Sequence, residues 1–277
     1  TPSNSSAASD VYKRQVLAVW PVAAQGPSVL PPRSGQAPSP QAENYAVQLI
    51  GQVGGAIKAV TVQGHYAYIG AGPHLLIFDV ANPAHPVLVG QTGVLPNVIN
   101  NVTVEGDYAY LTDQEGLRIV RISNPRFPVI LGVYKTLSEA WDVAVRDDYA
   151  YVTDERHLYV LNIANPSQPT IVGTYNVPGW HKALGVAVAG SYAYVANEDD
   201  GLRLIDISDP SRPAEVNRFD TPGQARDVAV VGTHAFVADD WRGLRVIDVA
   251  DPSELVEVGA GETPGLAWGI ALTANYA

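Results

Sequence analysis

The sequence predicts an all-β chain, a β-propeller of four-stranded blades, from three observations. An anchor position recurs at Tyr66, Tyr108, Tyr149, Tyr192, His234 and Tyr276, at successive spacings of 42, 41, 43, 42 and 42. A period this regular marks a repeat architecture. Each period holds four short runs rich in Val, Ile, Tyr and Thr, separated by Gly, Asp and Asn/Asp-Pro turn signals, the composition of strands and tight turns. No stretch carries a helical period. Four strands in every such period is the content of a propeller blade. Ring closure is preferred to an open solenoid because it removes the strand edges that a long antiparallel array exposes.

Within each repeat the elements follow in a fixed order. Strand a is an apolar run such as D-V-A-V-V at 227–231, and a turn at Gly64, Gly106, Asp147, Gly190 or Gly232 ends it. Strand b is the Y-A-Y-V-x-D run, and strand c is L-R-V-I-D-V or its relatives. An Asn/Asp-Pro pair then breaks the sheet at 82–83, 124–125, 165–166, 209–210 and 251–252. There the short acceptor side chain folds onto its own backbone and proline fixes the next φ, so the chain reverses. Strand d follows, as at 169–176. Residues 48–52 match a strand d whose first three strands are absent upstream, and 266–277 match strand a and the start of b of a sixth repeat. The expected fold is five complete blades plus a partial sixth, six-bladed if closed and truncated at the C-terminus. Residues 48–52 and a strand at 266–271 are expected side by side in the closing blade.

Ahead of the propeller, residues 1–15 read as a non-native leader, because D-V-Y-K-R-Q at 10–15 resembles a translated transposon adapter from sequencing libraries. A basic region before an export signal is the other reading, with Lys13 and Arg14 supplying the charge. Residues 16–24, V-L-A-V-W-P-V-A-A, have the length and small-residue ending of a signal-peptide core, and are too short to span a bilayer. Residues 25–43 are rich in Pro, Ser, Gln and Ala without periodicity and read as a linker. The repeat domain is 44–277. No other run is long and apolar enough for a membrane-spanning helix.

Charge narrows the partners. The net charge is −11; positions 1–42 hold three basic groups and one acidic, so the remainder is more negative than the whole. A surface of that sign repels phosphate backbones, so nucleic acid is excluded as an expected partner. The chain contains no cysteine, so disulfides and thiolate metal sites are impossible.

The motifs L-R-L-I-D at 202–206 and L-R-V-I-D at 244–248, with Tyr-Ala-Tyr-Val ahead of the first and Asp-Pro behind both, closely resemble the LVIVD-repeat family. L-L-I-F-D at 75–79 keeps the final Asp; L-R-I-V-R at 117–121 and L-Y-V-L-N at 158–162 depart from it. The resemblance spans residues 44–277. It implies a β-propeller-like domain of bacterial or archaeal secreted and cell-surface proteins, and it brings no catalytic residues with it.

With this strand order, the b–c and d–a loops share one face. Trp141, Trp180, Trp241 and Trp268 all map there. Indoles rimmed by carboxylates and amides suit sugar or peptide recognition, since a ring offers flat apolar area and the polar rim gives direction. Packing of each Trp between blades is the competing reading. The same face collects Asp113, Glu115, Asp154, Glu155, Asp199, Asp200, Asp239 and Asp240, with Asp142 and Asp227 on inner strands. Clustered carboxylates are what a hard cation wants, whereas one Asp per repeat at the end of strand b is also what turn capping produces. No D-x-D-x-D-G loop favours the metal. His74, His157 and His181 reach this face from three blades without a ligand spacing. No G-x-S-x-G, P-loop or dinucleotide fingerprint is present.

The expected protein is therefore a secreted or surface-tethered, non-catalytic binding module without cofactor or metal. Its expected ligand, protein or carbohydrate, binds a funnel built from Trp141, Asp142, Trp180, Arg226, Asp227, Trp241 and Trp268. The alternatives are a polysaccharide hydrolase or lyase using funnel carboxylates, or a structural array within a larger surface protein. Acids with strongly raised pKa deep in the funnel would favour the enzyme.

Overall fold

The computed structural model describes residues 57–273 and 277. The leader, the apolar segment, the linker and residues 48–52 lie outside the described residues.

Among the described residues twenty strands form five antiparallel sheets, each in simple up-and-down order. Blade one is β1 (Ile57–Gln63), β2 (Tyr66–Ala71), β3 (His74–Asp79) and β4 (Val87–Gln91). Blade two is β5 (Asn101–Glu105), β6 (Tyr108–Asp113), β7 (Gly116–Arg121) and β8 (Val129–Lys135). Blade three is β9 (Ala140–Arg146), β10 (Tyr149–Asp154), β11 (His157–Asn162) and β12 (Thr170–Asn176). Blade four is β13 (Gly185–Ala189), β14 (Tyr192–Ala196), β15 (Leu202–Asp206) and β16 (Ala214–Phe219). Blade five is β17 (Asp227–Val231), β18 (His234–Ala238), β19 (Leu244–Asp248) and β20 (Val256–Gly261).

The local chemistry explains these boundaries. The a–b turns put Gly64, Gly106, Gly190 and Gly232 at φ between 56° and 61°, and Asp147 at 53°. This left-handed region suits two-residue hairpins and favours Gly, with Asp tolerated. The c–d reversals form as the Asn/Asp-Pro pairs dictate: Asn82, Asn124, Asn165, Asp209 and Asp251 each accept a bond from the backbone N–H two residues on. Every strand d then slips register by one residue, leaving Gly90, Gly132, Gly173, Asn217 and Gly259 at the irregularity.

That position seats one blade on the next. A Cβ on Gly90, Gly132 or Gly173 would lie 1.9, 2.2 or 2.3 Å from the carbonyl oxygen of Pro125, Pro166 or Pro210, in the c–d turn of the following blade. In blade four, Asn217 reaches the equivalent oxygen by donating Nδ2–H to Pro252 O at 3.1 Å. The apolar core is divided accordingly into four clusters, one per junction; that between blades two and three joins Leu117 and Ile119 to Val143 and Val152.

The inner strands touch in series, β1 to β5 to β9 to β13 to β17, and β17 makes no comparable contact with β1. The five blades thus form an open arc. On β15 the side chains of Leu202, Arg203 and Leu204 are buried, while their counterparts Leu244, Arg245 and Val246 on β19 are only half-buried among the described residues, where no further sheet follows blade five. The strand expected at 266–271 is absent. Ala267 makes one isolated bridge with Asp240, and no other strand lies beside this segment among the described residues to give it a ladder. Ile270 nevertheless donates its N–H to Asp227 Oδ2 at 2.9 Å, just as Val186 of β13 donates to Asp142 Oδ2 at 2.7 Å. The segment follows the course of an inner strand without becoming one.

Candidate functional site

The b–c loop of each of blades three to five meets the d–a connection that follows that blade. Ala183 N–H binds Glu155 O, and isolated bridges join Glu198 to Ala225 and Asp240 to Ala267. These connections bring all seven residues expected of a funnel to one end of the arc. Trp141 and Asp142 are on β9, Trp180 lies between β12 and β13, Arg226 directly precedes β17 and Asp227 opens it, Trp241 lies between β18 and β19, and Trp268 follows β20. Trp180, Trp241 and Trp268 are exposed, at 84%, 59% and 48%; Trp141 is half-buried.

None of the four indoles is a bare platform. The Lys182 ammonium stands 5.1 Å from the Trp141 ring, and the Arg156, Arg242 and Arg226 guanidiniums stand 4.8, 4.4 and 4.8 Å from Trp180, Trp241 and Trp268. A cation over the negative face of an indole is attractive, most of all where water is excluded. Lys182, Arg156 and Arg242 were not among the expected site residues. Arg242 follows Trp241 directly, a signal open to inspection; Lys182 stands about one repeat beyond Trp141 in the chain and meets its ring only through the fold.

Arg226 is the best-held of these cations. It bonds Asp240 Oδ2 at 2.7 Å, lies 3.6 Å from Glu198 Oε1 and donates to Gln224 Oε1. Glu198 and Asp240 both sit at positive φ, 39° and 48°, a costly conformation for residues with a side chain. Glu198 also accepts Lys182 N–H at 2.9 Å. A continuous chain therefore runs from Trp141 through Lys182, Glu198 and Arg226 to Trp268 and Asp240. Trp180 and Arg156 stand beside it.

Asp142 and Asp227 occupy one repeat position, which is Gly185 in the blade between them. Each caps its own strand and reaches the next: Asp142 accepts from Val143 and Val186, Asp227 from Val228 and Ile270, all at 2.7–2.9 Å. A Cβ on Gly185 would come within 2.7 Å of Asp227 Cα, so only glycine fits between. Burial pushes both carboxyls above the usual range, and for Asp142 the charge of Asp227 adds to it. The two carboxyls are coupled, so they titrate as one unit.

A pH dependence follows. A group with a raised folded-state pKa binds more protons folded than unfolded, so stability falls as pH rises from the ordinary carboxylate range, about pH 4, towards neutrality. Groups held low, such as Asp206, Asp209 and Asp251, lose their stabilisation only below that window. The thermal midpoint is expected several degrees higher at pH 5 than at pH 8, at about 2–4 °C per kcal/mol for a domain of this size. Asp142→Asn should flatten that slope; an unchanged slope would remove the pair as its cause.

The other acids divide by role. Asp113, Asp154 and Asp239, at the end of strand b or just beyond it, are buried and spent on local bonds. Asp113 takes the Glu115 and Gly116 N–H groups and the Arg118 guanidinium. Asp154 takes Arg156 N–H and His157 N–H, His157 Nδ1 and the Tyr159 hydroxyl. Asp239 takes Thr221 Oγ1 and Gly223 N–H. The three histidines stay apart, His74 near Thr92 O, His157 on Asp154 and His181 on Asp199. Among the described residues no three His, Cys, Asp or Glu side chains converge to hold a metal ion.

A family model described as the LVIVD repeat matches residues 54–93, 99–136, 138–177, 181–221 and 222–263, one match per blade. The chain belongs to the LVIVD-repeat family. No curated protein matches this LVIVD-repeat chain in sequence. Solved structures are similar in fold. The computationally designed Ika8 protein shares 9% identity at a TM-score of 0.63, over 79% of this chain and 66% of that one, just under two thirds of its length. The Pseudomonas aeruginosa periplasmic gluconolactonase PpgL shares 14% identity at a TM-score of 0.61, over 76% of this chain and 71% of that one. The Cps50 (Swd1) β-propeller domain of Myceliophteria thermophila shares 13% identity at 0.61, over 76% and 73%. At these identities the likeness shows the propeller fold of the LVIVD-repeat chain and nothing of its chemistry.

Proposed function

We propose that this LVIVD-repeat propeller is a non-catalytic binding module that works outside the cytoplasm and takes a carbohydrate or protein ligand at its tryptophan-bearing end. One observation carries the reading: Arg226 is fixed between Glu198 and Asp240, both in left-handed backbone, beneath the exposed ring of Trp268. Backbone strain of this kind persists where the surroundings over-determine it, and it concentrates at sites of recognition. A positioned guanidinium beside exposed indole offers donors and flat apolar area together, the pairing that interface anchors use. The export-signal-like run at 16–24 and the family resemblance support the location.

The gluconolactonase likeness does not extend to chemistry at 14% identity. Polysaccharide hydrolysis or elimination by Asp142 and Asp227 is a second reading, favoured by the raised pKa of both. Against it, every oxygen of the two carboxylates accepts a backbone N–H, which commits both groups to holding one inner segment against the next.

Tryptophan fluorescence titrated with a panel of neutral and acidic polysaccharides and of synthetic peptides tests the proposal. Binding is expected for at least one class, weakened roughly 10-fold or more by Trp268→Ala or Trp241→Ala, with the thermal midpoint preserved because these rings are exposed. No response to any polysaccharide or peptide, or equal affinity in both variants, would sink the module reading. Release of reducing or unsaturated ends, abolished in Asp142→Asn, would establish the catalytic one.

A further inference from the structure

Each junction between blades is built from the same two halves, and blade one presents one half with no described strand against it. Val102, Val143, Val186 and Val228 occupy one position of strand a, where they are 2–5% exposed inside the four junction clusters. Val60 holds that position in blade one and is 38% exposed. Strand c repeats the contrast. Val120, Leu161, Ile205 and Ile247 are fully buried, and Ile122, Ile163, Ile207 and Val249 just beyond them are buried too. Their blade-one counterparts, Phe78 and Val80, are only half-buried. Pro125, Pro166, Pro210 and Pro252 each carry the carbonyl that meets a Gly or Asn of the preceding strand d. Pro83 is the fifth such proline, and no strand d precedes its blade among the described residues. With His65, Val80 and Ala81 it lines a hollow of about 300 Å³.

The sequence supplies an independent observation. Gln48-Leu49-Ile50-Gly51-Gln52 matches Val87-Leu88-Val89-Gly90-Gln91 of β4 at Leu, Gly and Gln. Gly51 therefore falls at the position whose glycine meets the next blade's proline carbonyl. Ile50 falls at that of Val89, which packs into the junction of blades one and two. The blade that follows residues 48–52 in the chain is blade one. Reach permits the contact. The six steps from Gly51 to Ile57 span about 20 Å when extended, and a four-stranded sheet is about 15 Å across. A second copy would offer β20, whose Gly259 meets no proline carbonyl among the described residues. Against that occupant, blade five is already approached by its own chain, through the Ala267 bridge to Asp240 and the Ile270 bond to Asp227. A tethered segment also competes at high effective concentration.

We propose that residues 47–53 of this chain cover the open face of blade one, with Gly51 against the Pro83 carbonyl and Ile50 against Phe78 and Val80. The contact is the packing of an outer segment on the next blade's turn, and it takes no ladder bonds from blade one. It requires glycine at 51, since a Cβ at the equivalent Gly90 would lie 1.9 Å from Pro125 O. Blade one is then held from both sides, by blade two and by the chain that leads into it. The contact is independent of the tryptophan end.

Photo-crosslinking of the full chain tests it. Ala84→p-benzoylphenylalanine puts the probe on an exposed residue. Backbone atoms of its counterparts Arg126, Ser167 and Ser211 lie 3.0–3.2 Å from a Cβ added at the preceding blade's glycine. An equal mixture of nitrogen-15-labelled and unlabelled protein is irradiated and digested with trypsin. Residue 84 is expected to join the peptide 34–58, at a position within 47–53 and within one molecule. Gly51→Val should lower the yield roughly 5-fold or more, and Gly54→Val should leave it unchanged. The proposal is overturned if residue 84 links to 256–261 with mixed isotopes, which makes a second copy the occupant. It is equally overturned if residue 84 links to no residue of 47–53, or if the two valine variants give equal yields.

Discussion

Gly173→Ala is expected to destabilise the propeller by about 3 kcal/mol or more, among the largest effects of any single methyl group in this chain. The new Cβ would lie 2.3 Å from Pro210 O, 2.8 Å from Pro213 Cδ and 3.1 Å from Ser211 C. These atoms belong to a turn that cannot yield easily, since proline fixes its φ and Asp209 pins it by accepting from Ser211 N–H and Arg212 N–H. Relief therefore requires blades three and four to separate, opening the junction built from Val160, Val186 and Val195. Gly259 provides the control at the same repeat position. Its added Cβ would meet only Val246 side-chain atoms at 3.6–3.7 Å, ordinary contact, and Gly259→Ala should cost less than about 1 kcal/mol. Denaturant unfolding of the two variants checks the contrast. Equal losses would mean that strand d, and not the seat between blades, sets the cost.

The glycine of that seat recurs in the sequence, at one fixed distance after the proline in four of five repeats. Its purpose is not legible there, because a lone Gly in a strand says only that something comes close; which atom does so depends on the stacking of blades. The strands and turns are legible for the opposite reason. The short, near-continuous apolar runs of β2, β6, β10 and β14 and the Asn/Asp-Pro stops are local rules, satisfied within one repeat. The turn-capping role of Asp113 and Asp154 follows from recurrence in the same way. Their cross-strand partners do not: Arg118 and Tyr159 occupy one position of strand c, and only the fold of strand c back onto strand b brings that position to the Asp. The cations over the tryptophans are hidden similarly, since Lys182 and Trp141 come from adjacent blades. Residues 266–271 mark the limit of pattern matching. They carry the residues of an inner strand, but a strand exists only with a neighbour to bond, and Asp227 and Asp240 supply two contacts where a ladder is needed.

Arg203→Leu should be the most damaging substitution on a polar side chain, at about 3–5 kcal/mol, and it links the core to the ligand end. The guanidinium is almost wholly enclosed, with 2% of the residue exposed. It donates to Asn197 Oδ1 at 2.6 Å, Glu215 Oε2 at 2.7 Å, Asp200 Oδ2 at 3.1 Å and Pro178 O at 3.4 Å. Leucine fills part of the space but strands these acceptors, and a half-buried carboxylate such as Glu215 left without its guanidinium costs more than the ion pair ever contributed. Glu215 keeps one partner, the Tyr175 hydroxyl, which limits the loss. A double-mutant cycle separates the two effects: Arg203→Leu with Glu215→Leu should recover much of the stability, because the Glu215 charge is no longer stranded and only Asp200, 27% exposed at its side chain, loses a partner. Binding should not recover with it. Asn197 donates to His181 O at 3.0 Å, and Pro178 O accepts directly from Arg203, so the guanidinium braces the loop that carries Trp180 and Lys182. Ligand titration of the stable double variant is therefore expected to remain weak, roughly 10-fold below wild type. Wild-type affinity in that variant would show that the loop holds its shape without the arginine, and would confine Arg203 to the core.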